Sequence, residues 1–526
     1  MHIPKEVVMT KYFAALLTFF IAWPSIAADL NGYTAQYECR AGGPNCNVDV
    51  AALGNRSCDQ TIAASTPWSS INWSNSTICL ENGDHTSKGT LTIPSSANGT
   101  SGNYKVLRYT RSGDTNDDPW NQSTGNRVKL RGVSINGADY WIIHRLTIDG
   151  DGASNFGIHY VKNSGVTNII VNRLLVEDFS MTIVATENNG PNITIQNSVI
   201  RNAHVTPTAE YNCIELSSAS GVRIVNNEIY DCNKAISSGD GNPSIPDAKI
   251  ENNDLYTSPA VYTDCNGNYT PWNPNSVCAA MEAIISLKTG GLSNQPVEII
   301  HNRLWGARTG DGVAMSEGNT GEAFSISLTS NPNDPSGYGA HYVLVKNNII
   351  WDAQAGISNW WGTPHHVSII GNIIYKIRAF DPRFSTFPIR LRRMDRVEVY
   401  LNTIIDSPET WIDVHNTDVT NSDIRCNIAI TSGGNYGGAS STTEIANNAF
   451  YGVPMFTTDM AETNIAMSNV SDAANVEYCF NRKLRTGAEK FCIPNARSTT
   501  TSPHYQACNN TLGTRTGIGI DDLRLF

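Results

Sequence analysis

Arginines gather in one stretch of an otherwise acidic chain. Between Lys376 and Arg396 stand seven basic residues (Lys376, Arg378, Arg383, Arg390, Arg392, Arg393 and Arg396) against two acids, Asp381 and Asp395, whereas the 526 residues together carry a formal charge of −11. An arginine fork pairs with a carboxylate or sulfate through two parallel hydrogen bonds, so the cluster predicts recognition of an anion. Solvated or salt-bridged surface arginines are the plainer alternative. Strand alternation within PIRLRR turns Ile389 and Leu391 inward and sets Arg390 and Arg392 on one outer face, with Arg393 following. The same rule applied to WIDVH turns Ile412 and Val414 inward and Trp411, Asp413 and His415 outward. His159, Glu215, Lys288, Asn359 and Trp361 take outward places on other strands. Removing a proton beside a carboxylate requires a cation on that carboxylate, a base, and a proton donor for the leaving oxygen. Arg390 and Arg392 would supply the cation. Lys288 would be the base, since neighbouring cations lower a lysine's pKa, and His415 or a tyrosine the donor. An ordinary exposed strand lysine is the competing reading of Lys288. Hydrolysis would instead need carboxylates at matched separation, for which Glu215, Asp240, Glu282, Asp311 and Asp413 are candidates that form no dense cluster.

These residues must be held by a repeat. Short apolar strands run into an asparagine and out into another apolar strand in IIVNRLL, RIVNNEI, KIENNDL, EIIHNRL, LVKNNII, SIIGNII, VYLNTII, IRCNIAI and EIANNAF, with ITIQNSVI as a shifted copy. The aligned column is Asn172, Asn227, Asn253, Asn302, Asn348, Asn372, Asn402, Asn427 and Asn448, with Ser198 beside Asn197 in the shifted copy. Steps cluster near 25 residues, with two long ones of 49 and 46 that hold insertions or an extra coil. Alternation gives each unit one buried face, and the asparagine marks a sharp turn, where its tolerance of the left-handed conformation and its amide would serve. With a third strand per unit, such as CIEL or PIRL, the expected fold is all-β: a parallel β-helix in which each coil buries its apolar face against its neighbours and the stacked amides bond along the column. Leucine-rich repeats would need leucine-dominated, partly helical units. The chemistry would sit on the strand about ten residues before each asparagine.

The N-terminus has Lys11, an apolar run from Tyr12 to Trp23 and then Ser25-Ile26-Ala27, the pattern of a secretory signal peptide cut after Ala27. The expected division is a signal peptide over 1–27, an N-terminal cap and first strands over 28–100, the β-helix over 101–455 and a C-terminal cap over 456–526. Twelve cysteines fit an oxidising compartment. Cys39, Cys46, Cys58 and Cys79 precede the repeats and Cys479, Cys492 and Cys508 follow them, which places staples on the end caps. Cys213 and Cys232 are spaced to bridge neighbouring coils, and Cys265 with Cys278 to pin a loop. No CxxC pair or zinc-type histidine spacing occurs. The acidic balance argues against nucleic acid as a partner, and no segment is apolar enough to span a bilayer. A secreted or periplasmic monomer is expected.

The run SINGADYWIIHRLTIDGDGASNFGIHYVKNSGVTNIIVNRLLVED resembles the opening coils of pectate-lyase-like right-handed β-helix proteins, and the resemblance extends over about residues 75 to 455. EAIISLKTGG, residues 282 to 291, is similar to a strand of alginate and chondroitin lyases of the chondroitinase-B type. The resemblance implies Lys288 as catalytic base. That family's two calcium-binding glutamates correspond to Met281 and Ala283 here, and its catalytic arginine to Ser316, so the metal stays unknown and no calcium is assigned. The implied activity is β-elimination from a uronic-acid polysaccharide such as alginate or pectate; Lys288 is the implied catalytic residue, and Arg390 and His415 join it as catalytic on the reading of the residues given above. Arg392, Arg393, Trp361, Trp411, Asp413, Glu215 and His159 would hold the substrate, the tryptophans by stacking on sugar rings. A β-helix glycoside hydrolase and a non-catalytic glycan-binding or adhesin solenoid are the alternatives.

Overall fold

The computed structural model describes residues 50–110, 118–123, 126–152, 156–160, 167–179, 184–186, 192–203, 212–217, 219–239, 244–258, 283–307, 324–329, 339–359, 362–378, 386–407, 411–415, 418–430, 442–446, 448–451, 465–466, 473–483, 485–487, 489–498 and 508. Residues 1–27, Cys39, Cys46, Asp240, Cys265, Cys278, Met281, Glu282, Asp311, Ser316 and Trp361 lie outside the described residues.

Most coils contribute one strand to each of three parallel sheets. The leading sheet, whose strands run into the asparagine, has fourteen strands from Gln60–Ile62 to Glu444–Ala446. The trailing sheet, whose strands leave it, has fourteen from Gly83–Asp84 to Ile465–Ala466, and the third sheet has eleven from Leu91–Pro94 to Ile412–His415. The chain is a right-handed parallel β-helix. Isoleucine and valine suit a pleated surface because their χ1 is already restricted. They stack in registered columns through the interior: Ile224, Ile250, Ile299, Val345, Ile369, Val399 and Ile424 in the leading sheet, and Ile214, Ile236, Ile285, Ile326, Ile357, Ile389 and Ile412 in the third. Disulfides join Cys58 to Cys79 in the first coils, Cys213 to Cys232 across neighbouring coils and Cys426 to Cys508 near the C-terminus.

The asparagine column is a continuous buried ladder from Asn227 to Asn448, all of it without solvent exposure. The backbone N–H of each asparagine donates to Oδ1 of the next at 2.9–3.0 Å, and its Nδ2 donates to that same oxygen at 2.9–3.1 Å. The second Nδ2 hydrogen reaches back to a carbonyl of the preceding coil, as from Asn302 to Ile250 at 2.8 Å. Each amide thus ties three coils together.

Two details differ from the sequence reading. The left-handed residue is the one before the column asparagine: Asn226, Asn252, His301, Asn347, Gly371, Leu401 and Cys426 have φ between 54° and 66°. The turn thereby leaves the asparagine amide free for the ladder. Asn172 also sits two places off the column, registered with Gln196, and bonds to His144, Gln196 and Asn197 instead. Leu174 takes the column place there, its N–H donating to Ser198 Oγ at 3.1 Å, and Ser198 N–H donates to Asn227 Oδ1 at 3.0 Å.

An antiparallel ribbon, Ala473–Arg482 with Glu489–Ser498, lies along the outer face of the trailing sheet. Tyr230, Tyr256, Trp305 and Trp351 stack down that face at 4.2–4.8 Å, and Phe491 of the ribbon continues the stack at 5.1 Å. Arg482 lies 5.7 Å over the Trp305 ring. At the ribbon's turn, Arg485 donates to Asn197 Oδ1 (2.7 Å) and Asn226 O (3.0 Å), and the N–H groups of Arg485 and Thr486 donate to the buried Glu228 carboxylate at 2.9 and 2.8 Å.

Removing one rung tests the ladder. Asn302→Ala orphans the Asn253 N–H and one Nδ2 hydrogen as well as the Ile250 carbonyl. At ~1–3 kcal/mol for each buried unsatisfied group, the loss is about 3–5 kcal/mol in denaturant unfolding. Asn302→Asp is expected to be no better, since it sets a carboxylate oxygen against the Ile250 carbonyl and Asn348 Oδ1.

Candidate functional site

Strand pairing on the third sheet lines up one residue per coil on the side away from the core columns, and within this row Ser237, Ser286, Ser327 and Ser358 are themselves buried. The row runs Thr92, Ser134, His159, Ala185, Glu215, Ser237, Ser286, Ser327, Ser358, Arg390, Asp413. Two positions further along the strands, His415 is the partner of Arg392, and Lys288 holds the equivalent place beyond Ser286. The sheet therefore collects His159, Glu215, Lys288, Arg390, Arg392 and Asp413 on one face, and the backbone of His415 pairs with that of Arg392.

The arginine end of the row is built in detail. Arg390 Nε lies 3.3 Å from Asp413 Oδ2, and its guanidinium sits 4.0 Å over the Phe387 ring, so it is fixed from two sides with 11% of its side chain exposed. Arg392 is half-buried, and its carbonyl accepts a hydrogen bond from Asn359 Nδ2. Lys288 is half-buried on a backbone whose N–H donates to Ser238 Oγ at 2.8 Å. His159 stacks on Phe156 at 4.5 Å.

Three expected placements do not hold. Trp411 is fully buried in the main core. It precedes the strand Ile412–His415, where the chain is still turning the corner and period-two alternation does not apply. Asn359 is 1% exposed; Ile357 in the core column sets Ser358 on the opposite side of the strand, where it too is 1% exposed. Arg393 has already left the row: it adopts φ 50° at the turn, is more than half exposed, and faces Asp418 at 3.9 Å.

Distances along the row decide which groups can act together. Neighbouring strands lie about 4.8 Å apart, and side chains stand roughly perpendicular to the sheet. Lys288 is three coils from Arg392, ~14 Å by that spacing, so the two do not meet on one reacting carbon. Glu215 and Asp413 are six coils apart, ~29 Å, against the ~5–9.5 Å needed by paired glycosidase carboxylates.

Of the two positions where the lyase resemblance would put metal ligands, Met281 lies outside the described residues and Ala283 carries no donor side chain. Ala283 opens its strand beside Lys234, which is fully buried. Among the described residues one acidic trio, Asp149, Glu177 and Asp178, has metal-ligand spacing. It lies on the trailing sheet, with Lys129 2.7 Å from Asp149 and Arg201 and Arg127 on Glu177, so its charge is already met. No helix among the described residues is long and apolar enough to cross a membrane.

A histidine cluster outside the row marks the leading sheet. His341 and His365 stack at 3.7 Å, His365 and His366 approach at 2.8 Å between Nδ1 atoms, and Tyr342 stacks on His366 at 4.6 Å. In the sequence its only signal is the adjacent pair His365-His366. Burial, then the neighbouring His341 and His366, pushes His365 down to about 4.

The ladders define the class of this protein, a right-handed parallel β-helix. No family model matches the chain, and no curated protein matches it. Similar solved structures include a mannuronic acid specific polysaccharide family 6 lyase from human gut microbiota (12% identity, 78% of this chain and 91% of that one, TM-score 0.48). They also include the A-module of a mannuronan C-5 epimerase from Azotobacter vinelandii (10%, 75% and 91%, 0.40) and a surface adhesin of Streptococcus pneumoniae (14%, 80% and 92%, 0.41). Likenesses of this size carry no argument about activity.

A histidine whose folded pKa lies below its free value of 6.5 binds fewer protons folded than unfolded. Its contribution is therefore present above pH 6.5 and lost as the pH falls toward 4. Thermal unfolding measured across that window should show a falling Tm, and His365→Gln should flatten the slope.

Proposed function

We propose that the protein is an exported, carbohydrate-active enzyme that binds an acidic polysaccharide along the third sheet and cleaves it by β-elimination at a uronic-acid unit. The observation that carries this reading is the arginine pair Arg390 and Arg392 on one outward strand face, with Arg390 held by Asp413 and Phe387. A uronate carboxylate bound there is neutralised, which acidifies the neighbouring C–H. His415, on the strand position opposite Arg392, takes that proton. The electron pair forms the carbon–carbon double bond as the glycosidic oxygen leaves, and that oxygen takes a proton from the site or from water. Lys288, three coils away, holds the carboxylate of another unit of the same chain rather than the reacting one. Glu215 and His159 extend the row toward the N-terminal coils and contact further units. No calcium is assigned.

The disulfides support passage through an oxidising compartment, and the acidic charge argues against nucleic acid. Hydrolysis by a carboxylate pair is the weaker reading, since the described carboxylates of the row stand too far apart.

Incubation with alginate, pectate and other uronans, with and without chelator, should raise the ultraviolet absorbance of an unsaturated product. Arg390→Ala should lower the rate on the order of 10²-fold, the scale of losing one charge-stabilising donor. Lys288→Ala should raise KM more than it lowers kcat. Reducing ends without absorbance would mean hydrolysis; binding with neither signal would mean a non-catalytic solenoid.

A further inference from the structure

The leading sheet carries a hollow of about 730 Å³, on a different face from the arginine row. This is within the ~300–1,000 Å³ usual for small-molecule sites. Its floor is a registered row of outward residues, Leu344, Ser368, Glu398 and Asp423, one from each of four coils. Its rim is a second row at the corner before the strands: Tyr342, His366, Arg396 and Asn421.

That rim position has a history along the solenoid. In upstream coils it is occupied by Asn168, Asn192, Gly221 and Asp247, all with φ between 55° and 65°, and then by Pro296, which lacks that geometry. Asparagine, glycine and aspartate adopt the left-handed conformation most readily. In the coils around the hollow the same backbone geometry is imposed on Tyr342 (φ 52°), His366 (54°) and Arg396 (54°). Asparagine would fit this turn with less strain, so what the larger residues contribute is the side chains that line the hollow. Tyr140, in the first of these coils, is another large residue in the column, and its ring is taken up by an edge contact with Tyr104.

The chemistry of the lining selects the ligand. The Tyr342 and His366 rings stack to form an aromatic wall, and Arg396 donates to His366 Nε2 at 3.2 Å. Ser368 donates to Glu398 at 2.9 Å, so a neutral hydroxyl orients that carboxylate, whereas Asp423 accepts from Tyr400 at 3.0 Å and from the Arg425 guanidinium. Arg396 is drawn to Asp395 at 3.6 Å, and Arg425 to Asp423 at 2.5 Å. Cations are thus matched by acids, and the exposed Glu398 stands in the centre of the floor. An anionic chain is repelled there, whereas hydroxyl groups find acceptors beside an aromatic surface. We propose that this hollow is a second carbohydrate-binding site, taking neutral, hydroxyl-rich sugar units and separate from the arginine row. It would anchor the protein to one polysaccharide while the row engages another.

The test separates the two faces. Affinity electrophoresis and calorimetry on the full chain would use neutral hexasaccharides (β-1,4-glucan, β-1,3-glucan and β-1,4-mannan) and a mannuronate hexamer. At least one neutral hexamer should bind, and Tyr342→Asn and Glu398→Ala should each weaken it tenfold or more. Tyr342→Asn should fold with an unchanged or raised Tm, because asparagine suits φ 52°. Arg390→Ala should leave neutral binding intact while weakening the mannuronate. The proposal is overturned if no neutral hexamer binds, if Tyr342→Asn binds as tightly as the parent, or if Arg390→Ala removes neutral and acidic binding together. Because the two ligands are read separately, loss of uronate cleavage alone would count against the proposed function and not against this site.

Discussion

Everything in this molecule depends on closing a sharp turn at the same place in successive coils without leaving a buried amide unsatisfied. The turn is buried, and an unpaired N–H or C=O there costs ~1–3 kcal/mol. The asparagine ladder meets this by using one side chain to accept from the coil before it and donate to the coils on both sides. All its amides point the same way along the axis, so each bond polarises the next. The ladder fixes register to a single residue, and register is what aligns the outward rows on the other sheets. A slip of one residue would turn Arg390 into the core and Ile389 out.

Insertions are absorbed without disturbing that register. Asn253 and Asn302 are 49 residues apart and Asn302 and Asn348 are 46, yet their ladder bonds have the same lengths as those across 24 residues. The strands on either side of each long step remain in phase. This lets the outer faces vary while the scaffold stays constant, and the faces of the third and leading sheets differ accordingly. One is a row with fixed arginines, the other a hollow with balanced charge.

The scaffold was legible because its determinants are local and periodic. A motif such as RIVNNEI states both strands and the turn between them, and the ladder partner of each column asparagine is another copy of the same motif. Misreadings arose where periodicity stops. Trp411 lies one residue outside its strand, and alternation carried past that boundary put it on the wrong side. Asn172 matched the motif but sits two places off the column, because Leu174 and Ser198 fill the column places there. The left-handed turn residue was assigned to the asparagine itself, since Asn tolerates that geometry, whereas His301 and Leu401 adopt it in coils where the column demands it. The distances between Lys288, Arg392 and Glu215 could not be read from sequence spacing, because inserted loops lengthen the chain without lengthening the stack.

The ribbon at the C-terminal end changes how such a solenoid comes apart. A stack in which each coil touches only its neighbours frays from its ends, and local stability falls toward them. Here Arg485 reaches back 288 residues to Asn197 and 259 to Asn226, while Phe491 packs on Trp351. The last coils cannot peel away while the ribbon stays clasped to the earlier ones. A one-dimensional array is thereby closed into a single cooperative body, at the cost of a long-range contact that must form late and slowly in folding.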